Sequence, residues 1–547
     1  MPMAEAMKRT GTRVRDLAPR DRALALVLII ALGAAPFAAA VSGLAKGWQP
    51  TGDVAVISLR TLDVWKGHPP LLGQTSTAEE LTGTPANHPG PIENWVLAGT
   101  TKAAGDRAGI VVGTALINSA ALVGVAWLCV RRGGVALLAL MSVAVAGLVW
   151  SLGAASLYDP FNSELATYPM LVAIVAAWCV LVGDLRVTPI LAAAVTVVGQ
   201  LHIVGPGFCA PLVLIALAAI GLAWRRHPGT VRRDRAYLFG ALGVLAVGWS
   251  PVLAYELGPE PSNVAALWKA ATTPRPRIGL SFTLERLATA VAPVPTFLRR
   301  TGRFGFISDV SPVQVFLAFL IIAGGVALSP LVKRRDGRNH PGRLAWLLVA
   351  VAVTSTISGS GQPPLSAFRA DGTRWLWVVS LGFWVALAWE GWNLVSDARR
   401  DALRRPLAIG GGAVAVLVLL GALGTARLAD QRDGDLMSVT DRTASAVIDD
   451  LPEGTYHVRF EGNQALVAVG PGVVYRLEAS GSDVVLDRNV FTRGYTDRRT
   501  DGRTTDAQLR ITSDAGAKAN DGEQLLSSEA VDPGDPDAGT IKVFVTR

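Results

Sequence analysis

Charge is scarce in this chain of 547 residues: only 17% are Asp, Glu, Lys or Arg, where soluble domains carry about 25%. Uncharged runs of some twenty residues recur along it, which excludes a soluble cytosolic enzyme. Cysteine is scarcer still. Three cysteines cannot staple a disulfide scaffold, and Cys129, Cys179 and Cys209 each lie inside an apolar run, as small buried side chains do. Neither HExxH nor CxxC spacing occurs, so no zinc motif can be read. No internal repeat is found.

What the chain has is hydrocarbon. Runs long enough to cross a bilayer at 1.5 Å per residue span 23–44, 108–130, 133–157, 165–183, 187–204, 205–224, 236–255, 311–332, 344–358, 375–396 and 406–426. These are eleven expected transmembrane helices, with Gly205-Pro206-Gly207 read as a tight turn between two of them. With the N-terminus cytoplasmic, the inner segments 1–22, 131–132, 184–186, 225–235, 333–343 and 397–405 hold 23 Lys and Arg. The outer turns 158–164 and 205–207 hold none. That alternation satisfies the positive-inside rule, and a miscounted helix would destroy it.

The charge is also split between two parts. Residues 428–547 carry 21 acids against 13 Lys and Arg, and residues 1–427 carry 22 against 38. The basic average therefore reflects a membrane part joined to an acidic tail and gives no ground for nucleic-acid binding. On this reading the outer face holds a loop at 45–107, a second at 258–310, and the tail. Ala55, Leu59 and Leu62 share one helical face, which suggests a short helix lying along the membrane surface. Ile92 to Lys102 is a second amphipathic segment. In the tail, 455–461, 483–487 and 541–546 pattern as strands and 465–478 as a helix, a small α/β domain. The expected domains are thus 1–427 in the membrane and 428–547 outside it.

Candidate chemistry concentrates on the outer side. Asp53 follows Gly52 at a helix start, where it can cap the helix or, half-buried against apolar walls, act as a general base. Asp63 lies three residues after Arg60 and suits a local ion pair. Glu79 and Glu80 suit a solvated helix start, and Glu93 a cap or a site-facing acid. His68, His88 and His202 all fall outside, with Gln200 two residues before His202, and polar groups inside a span are costly unless they face protein or water. Arg275, Arg277, Arg286, Arg299, Arg300 and Arg303 crowd the second loop, and Arg369 and Arg374 the last. Such a cluster fits lipid headgroups or a lipid-linked phosphate.

Gly52-Asp53 after the first span, His88-Pro89-Gly90-Pro91, Gln200-Leu201-His202 and Ser250-Pro251-Val252-Leu253-Ala254-Tyr255-Glu256-Leu257 occur in that order. Over roughly residues 20–400 this resembles the polytopic GT-C glycosyltransferases, in particular the protein mannosyltransferase and aminoarabinose transferase group. The resemblance implies a GT-C-like α-helical polytopic membrane protein with a C-terminal extracytoplasmic α/β domain, in a bacterial cytoplasmic membrane. The Ala, Val, Gly and Arg usage suggests an actinobacterium. It further implies inverting transfer of a sugar from a polyprenyl phosphate to a cell-envelope glycan, glycolipid or protein. Asp53 would be the base. Arg275, Arg299, Arg300, Arg303 or Arg374 would hold the phosphate, with His88, Gln200, His202, Asp63 and Glu256 also on the substrate. Members with a paired acid have Asp or Glu after this Asp; here Val54 follows, so no metal ligand is carried over and a divalent cation is left open. The rival readings are a secondary transporter or lipid-linked glycan flippase, and a non-catalytic envelope assembly protein.

Overall fold

The structure is a computed structural model and describes residues 14–76, 78–301, 311–336, 340–364, 371–424, 431–488, 492–499, 503–532 and 539–547. The first apolar helix is α1 (Pro19–Ala45), and the first outer loop then contributes α2 (Gly52–Asp63) and α3 (Ile92–Ala104). Next come α4 (Asp106–Leu152), α5 (Asn162–Leu181), α6 (Thr188–Leu201), α7 (Gly205–Arg226) and α8 (Pro228–Glu256). The second loop adds α9 (Asn263–Thr272) and α10 (Leu280–Val291); α11 (Pro312–Asp336), α12 (His340–Ser360), α13 (Trp375–Leu394) and α14 (Asp397–Gly424) complete the bundle. Proline in the first turn of α1, α6, α7 and α8 starts those helices at no cost in hydrogen bonds.

Among the described residues, eight helices are long and apolar enough to cross a membrane: α1, α4, α5, α7, α8, α11, α12 and α14. The remaining expected passes fall on α6, on α13 and on a second pass within α4. A straight helix of 47 residues would be about 70 Å long. Instead α4 breaks at Gly134, whose φ of 62° is open to glycine alone. That the chain doubles back there is shown by Asn118, whose Nδ2 donates to Leu157 O at 3.0 Å across 39 residues. At the same end, Arg131 and Arg132 grip buried Asp184 at 2.5 and 2.8 Å. Arginines that the sequence offers as orientation signals therefore also join helices.

The tail begins with α15 (Gln431–Asp450) and continues through β1 (Thr455–Glu461), α16 (Gly470–Ala479), β2 (Asp483–Leu486), β3 (Ala507–Thr512), β4 (Gln524–Ala530) and β5 (Thr540–Thr546). Its sheet has the order β2-β1-β3-β5-β4, with β1 parallel to both neighbours and β5 antiparallel to both of its own. Tyr456 and Val458 pair with Ala507 and Leu509 in register, and Tyr456, Val458, Leu509 and Ile511 all point into the core.

That core is not made by the tail alone. Ala55, Val56, Leu59 and Leu62 of α2 belong to it, packed with Val439, Val469, Val473 and Tyr495. The sequence suggested that this apolar face lies on the membrane surface; it lies against the tail. Both surroundings satisfy an apolar stripe, and periodicity cannot distinguish them.

Candidate functional site

The site forms where α5, α7 and α13 begin, at the end of the bundle that loop charge assigns to the outer face. Ser163, the second residue of α5, lines a small cavity with Gly205 at the start of α7 and Trp375 at the start of α13. Three helix N-termini thus converge on it, each turning the positive end of its dipole toward it, although several first-turn amides, Gly205 N and Glu164 N among them, are bonded within their own turns. His202 and Arg374 line the same cavity. Ser163 and Trp375 are buried, and among the described residues Ser163 Oγ and Trp375 Nε1 have no hydrogen-bond partner. A buried donor left unmet costs free energy, and an acceptor bound in this cavity would meet it.

Arg374 is 1% exposed, donates Nε to Glu164 Oε1 at 2.7 Å, makes a second contact there through Nη2, and stacks its guanidinium 4.9 Å from the Trp377 ring. The sequence suggested a free cation for phosphate at this position. Arg374 is instead half of a buried ion pair, because no isolated charge is tolerated at that depth. Glu164 Oε2 has no hydrogen-bond partner among the described residues.

A second cavity adjoins the first through Asn162 and Leu201. Ile57, Arg60, Gln74, Glu93, Asn94 and Asn162 are among its walls, and each cavity is water-sized, about 10 Å³. Arg60 donates to Gly73 O and Leu72 O, at 2.5 and 3.0 Å, holding the loop against α2. Glu93 is buried, and its Oε1 has no hydrogen-bond partner among the described residues. Burial, and then the charge of Asp159, hold its carboxyl well above the usual range. The two imidazoles lie together, with ring centroids 4.8 Å apart. His88 Nδ1 accepts from Ile203 N at 3.2 Å and His202 Nδ1 from Val204 N at 3.3 Å. An imidazole that accepts at Nδ1 carries its proton on Nε2, so both rings present a donor there. For His88 the neutral form is favoured, since burial first, then the charges of His202 and Arg60, push its pKa well below the usual value.

Asp53 is not among the residues lining either cavity, and stands next to the second. Asp53, Ile57 and Arg60 share one helical face of α2, and Ile57 and Arg60 line the second cavity. Gln74, another wall residue, donates Nε2 to Asp53 O at 2.9 Å. Thr51 holds the N-cap position without a side-chain bond, so Asp53 sits in the first turn and is not the cap. The sequence suggested a half-buried acid; Asp53 is exposed, while Val54, Ala55 and Val56 beside it are buried. Tyr495 of the tail lies close enough for the Asp53 charge to add to the burial that pushes its hydroxyl pKa up, and its Oη has no hydrogen-bond partner among the described residues.

Other expected site residues serve the framework. Gln200 donates Nε2 to Gly248 O at 2.7 Å and accepts from Ile92 N at 3.1 Å, clamping the His88 turn to α6. Glu256 accepts from Ser262 Oγ at 2.5 Å and Val264 N at 3.1 Å, capping α9. Asp63 pairs with Arg498 of the tail, 435 residues away, at 2.6 and 3.1 Å, and not with Arg60. Arg277 donates to the last carbonyls of α9 and to Gly361 O. Arg275 is exposed. Arg299 donates to Val294 O at 2.5 Å, and exposed Arg300 stacks 5.1 Å from the Trp150 ring. Their segment is tied to Ser151, which also receives Trp377 Nε1 at 3.2 Å, and the ring of the same Trp377 stacks on Arg374. Arg303 and Arg369 lie outside the described residues. His68 is exposed, and among the described residues no three metal-ligating side chains converge.

Sequence reasoning missed Ser163, Glu164 and Trp375. The available signal was Glu164, an acid in an otherwise apolar helix, whose buried charge required a cation. No family model matches the chain, and no curated protein matches it. Among solved structures, the crystal structure of ArnT from Cupriavidus metallidurans in the apo state is similar, at 12% identity and a TM-score of 0.48, over 95% of this chain and 96% of that one.

Proposed function

We propose that the chain is a membrane glycosyltransferase of the GT-C type, moving a sugar from a polyprenyl phosphate to a cell-envelope glycan, glycolipid or protein on the outer face. One observation carries the reading: three helix N-termini, His202, Arg374 and two unmet buried donors, Ser163 Oγ–H and Trp375 Nε1–H, surround one cavity. Such a site favours a group rich in acceptor oxygens and negative charge, as the phosphate of a lipid-linked sugar is.

The proposed chemistry assigns each group a role. The acceptor hydroxyl gives its proton to a carboxylate, its oxygen bonds to the anomeric carbon, and the bond from that carbon to the phosphate oxygen breaks with inversion. The electron pair leaves on phosphate. Asp53, exposed next to the second cavity, meets an acceptor arriving from solvent and serves as the base. An exposed base is desolvated by the substrate it receives. The cavity is water-sized and must widen to admit the phosphate, whose departing charge is then met by the donors that line it. His202 lines the cavity, with His88 stacked behind it, and both are proposed to help position the sugar. The sequence's departure from paired acids, and the lack of a three-ligand cluster among the described residues, give a divalent cation no named seat.

The test supplies purified protein in lipid with radiolabelled polyprenyl-phosphate sugars. Asp53→Asn should abolish transfer while the fold is retained; equal turnover in that variant removes the proposed base. The transporter or flippase reading keeps one observation in its favour. Glu390 in α13 is fully buried, and neither carboxylate oxygen is hydrogen-bonded among the described residues. Lipid-sugar movement across vesicles that survives Asp53→Asn and stops in Glu390→Gln would select that reading.

A further inference from the structure

At the opposite end of the bundle a groove of about 260 Å³ opens between the returning half of α4, the end of α13 and the start of α14. Small residues make it. Ala136 and Ala139 on α4, Ala388 on α13, and Ala408 and Gly411 on α14 leave the helices apart where larger side chains would close the gap. Trp389 and Trp392 wall one end, and Arg404 is the one charged residue lining the groove. Arg404 is half-exposed and bonds Asp21 of α1 through Nη2.

Sequence charge puts this end at the inner membrane surface, and the two helix starts that meet through Arg404 and Asp21 are rich in arginine. Arg20 and Arg22 open α1 and Arg399, Arg400, Arg404 and Arg405 open α14, against Asp21, Asp397 and Asp401 alone. A slot lined by hydrocarbon that ends at a guanidinium matches an acyl chain attached to an anionic headgroup. Tryptophans at the same depth fit the interfacial band in which such a headgroup lies. We infer that this groove binds an anionic diacyl phospholipid of the inner leaflet, one acyl chain between α4, α13 and α14 and the phosphate against Arg404. This site is independent of the proposed sugar transfer, whose cavity lies at the other end of α13.

The full-length protein is reconstituted in bilayers containing phosphatidylglycerol or phosphatidylcholine with brominated acyl chains. Quenching at the groove is taken as the difference between the wild type and a Trp389→Phe, Trp392→Phe double variant. The expected result is a preference for phosphatidylglycerol of about fivefold, the effect of one interfacial arginine. Arg404→Gln should bring the preference close to one while Arg404→Lys retains it. Because Arg404→Gln strands Asp21, the same comparison is made in Asp21→Asn with Arg404→Gln, which keeps the local charge balanced. Ala139→Leu with Gly411→Leu should fill the slot and remove the quenching difference for both lipids. Equal quenching by the two lipids in the wild type, or a preference unchanged in both Arg404→Gln variants, overturns the proposal. Displacement of phosphatidylglycerol by polyprenyl phosphate at equal concentration would also overturn it and give the groove to the prenyl chain.

Discussion

Arg498 offers the sharpest test of how the tail is held on the membrane part. Its side chain is 8% exposed, Asp63 is 10% and Glu478 4% exposed. One guanidinium serves both acids, with Nη1 and Nη2 on Asp63 at 3.1 and 2.6 Å and Nη2 and Nε on Glu478. Those two carboxylates push the Arg498 pKa up against the burial that would lower it. Lys66 reaches Glu478 at 2.9 Å but is 41% exposed, so it balances that acid only in part. In Arg498→Leu, Asp63 is left as a buried charge with no partner, and breaking a buried pair in this way costs about 3–5 kcal/mol. The penalty should not double, because Lys66 stays with Glu478. Hydrogen exchange on the reconstituted protein reads the effect in the amides of α2 and β1. A loss of 3–5 kcal/mol corresponds to between two and four decades of protection. Adding Asp63→Asn should restore most of it, since a buried amide needs less compensation than a carboxylate. Protection that falls less than tenfold, or a double variant no better than the single, would refute the idea that this cluster docks the tail.

Three further outcomes are expected. The raised pKa of Glu93 means that the native chain keeps a proton that the unfolded chain releases near pH 4.3, so stability falls as pH rises from there through the folded value. Glu93→Gln should remove that fall; parallel curves of thermal midpoint against pH for wild type and variant would contradict the assignment. A Cβ on Gly90 would lie 2.3 Å from Gln200 Oε1, so Gly90→Ala should destabilise the His88 turn by about 1–3 kcal/mol, and an unchanged melting midpoint would show that the clamp yields freely. Glu523 is pulled down to about 2, first by its bond to Arg510, with burial opposing. The stability this contributes is present above the unfolded value near 4.3 and is lost as pH falls through about 2. Arg510→Leu should flatten that acid limb when tail circular dichroism is followed down the pH scale, and an unchanged limb would place the effect elsewhere.

Much of the architecture was legible because solvent preference is a local property. Apolar runs marked the bundle helices and alternation marked β1 and β5, whereas the turn expected at Gly205-Pro206-Gly207 falls on residues 202–204 and those three residues open α7. Strand β3 was missed although Ala507, Leu509 and Ile511 alternate with polar residues, while β4 does not alternate and α15 is a largely polar segment. The site was legible only as an inventory. His88 and His202 were named from the sequence and do come together, 4.8 Å apart. Gln200, Glu256 and Asp63 were named as well, yet their polar atoms go to backbone amides, a helix cap and a distant arginine.

Sequence alone determined that this chain puts long apolar helices in a bilayer and an acidic mixed domain outside it, because hydropathy and loop charge add up residue by residue. Tertiary structure decided which polar group meets which. It closed Arg374 onto Glu164 across 210 residues, turned the apolar face of α2 toward the tail, and gathered three helix starts around Ser163, Trp375 and His202. Those outcomes depend on the cost of burying a charge or a donor without a partner. That cost is settled by whatever lies opposite in space, which no stretch of neighbouring residues specifies.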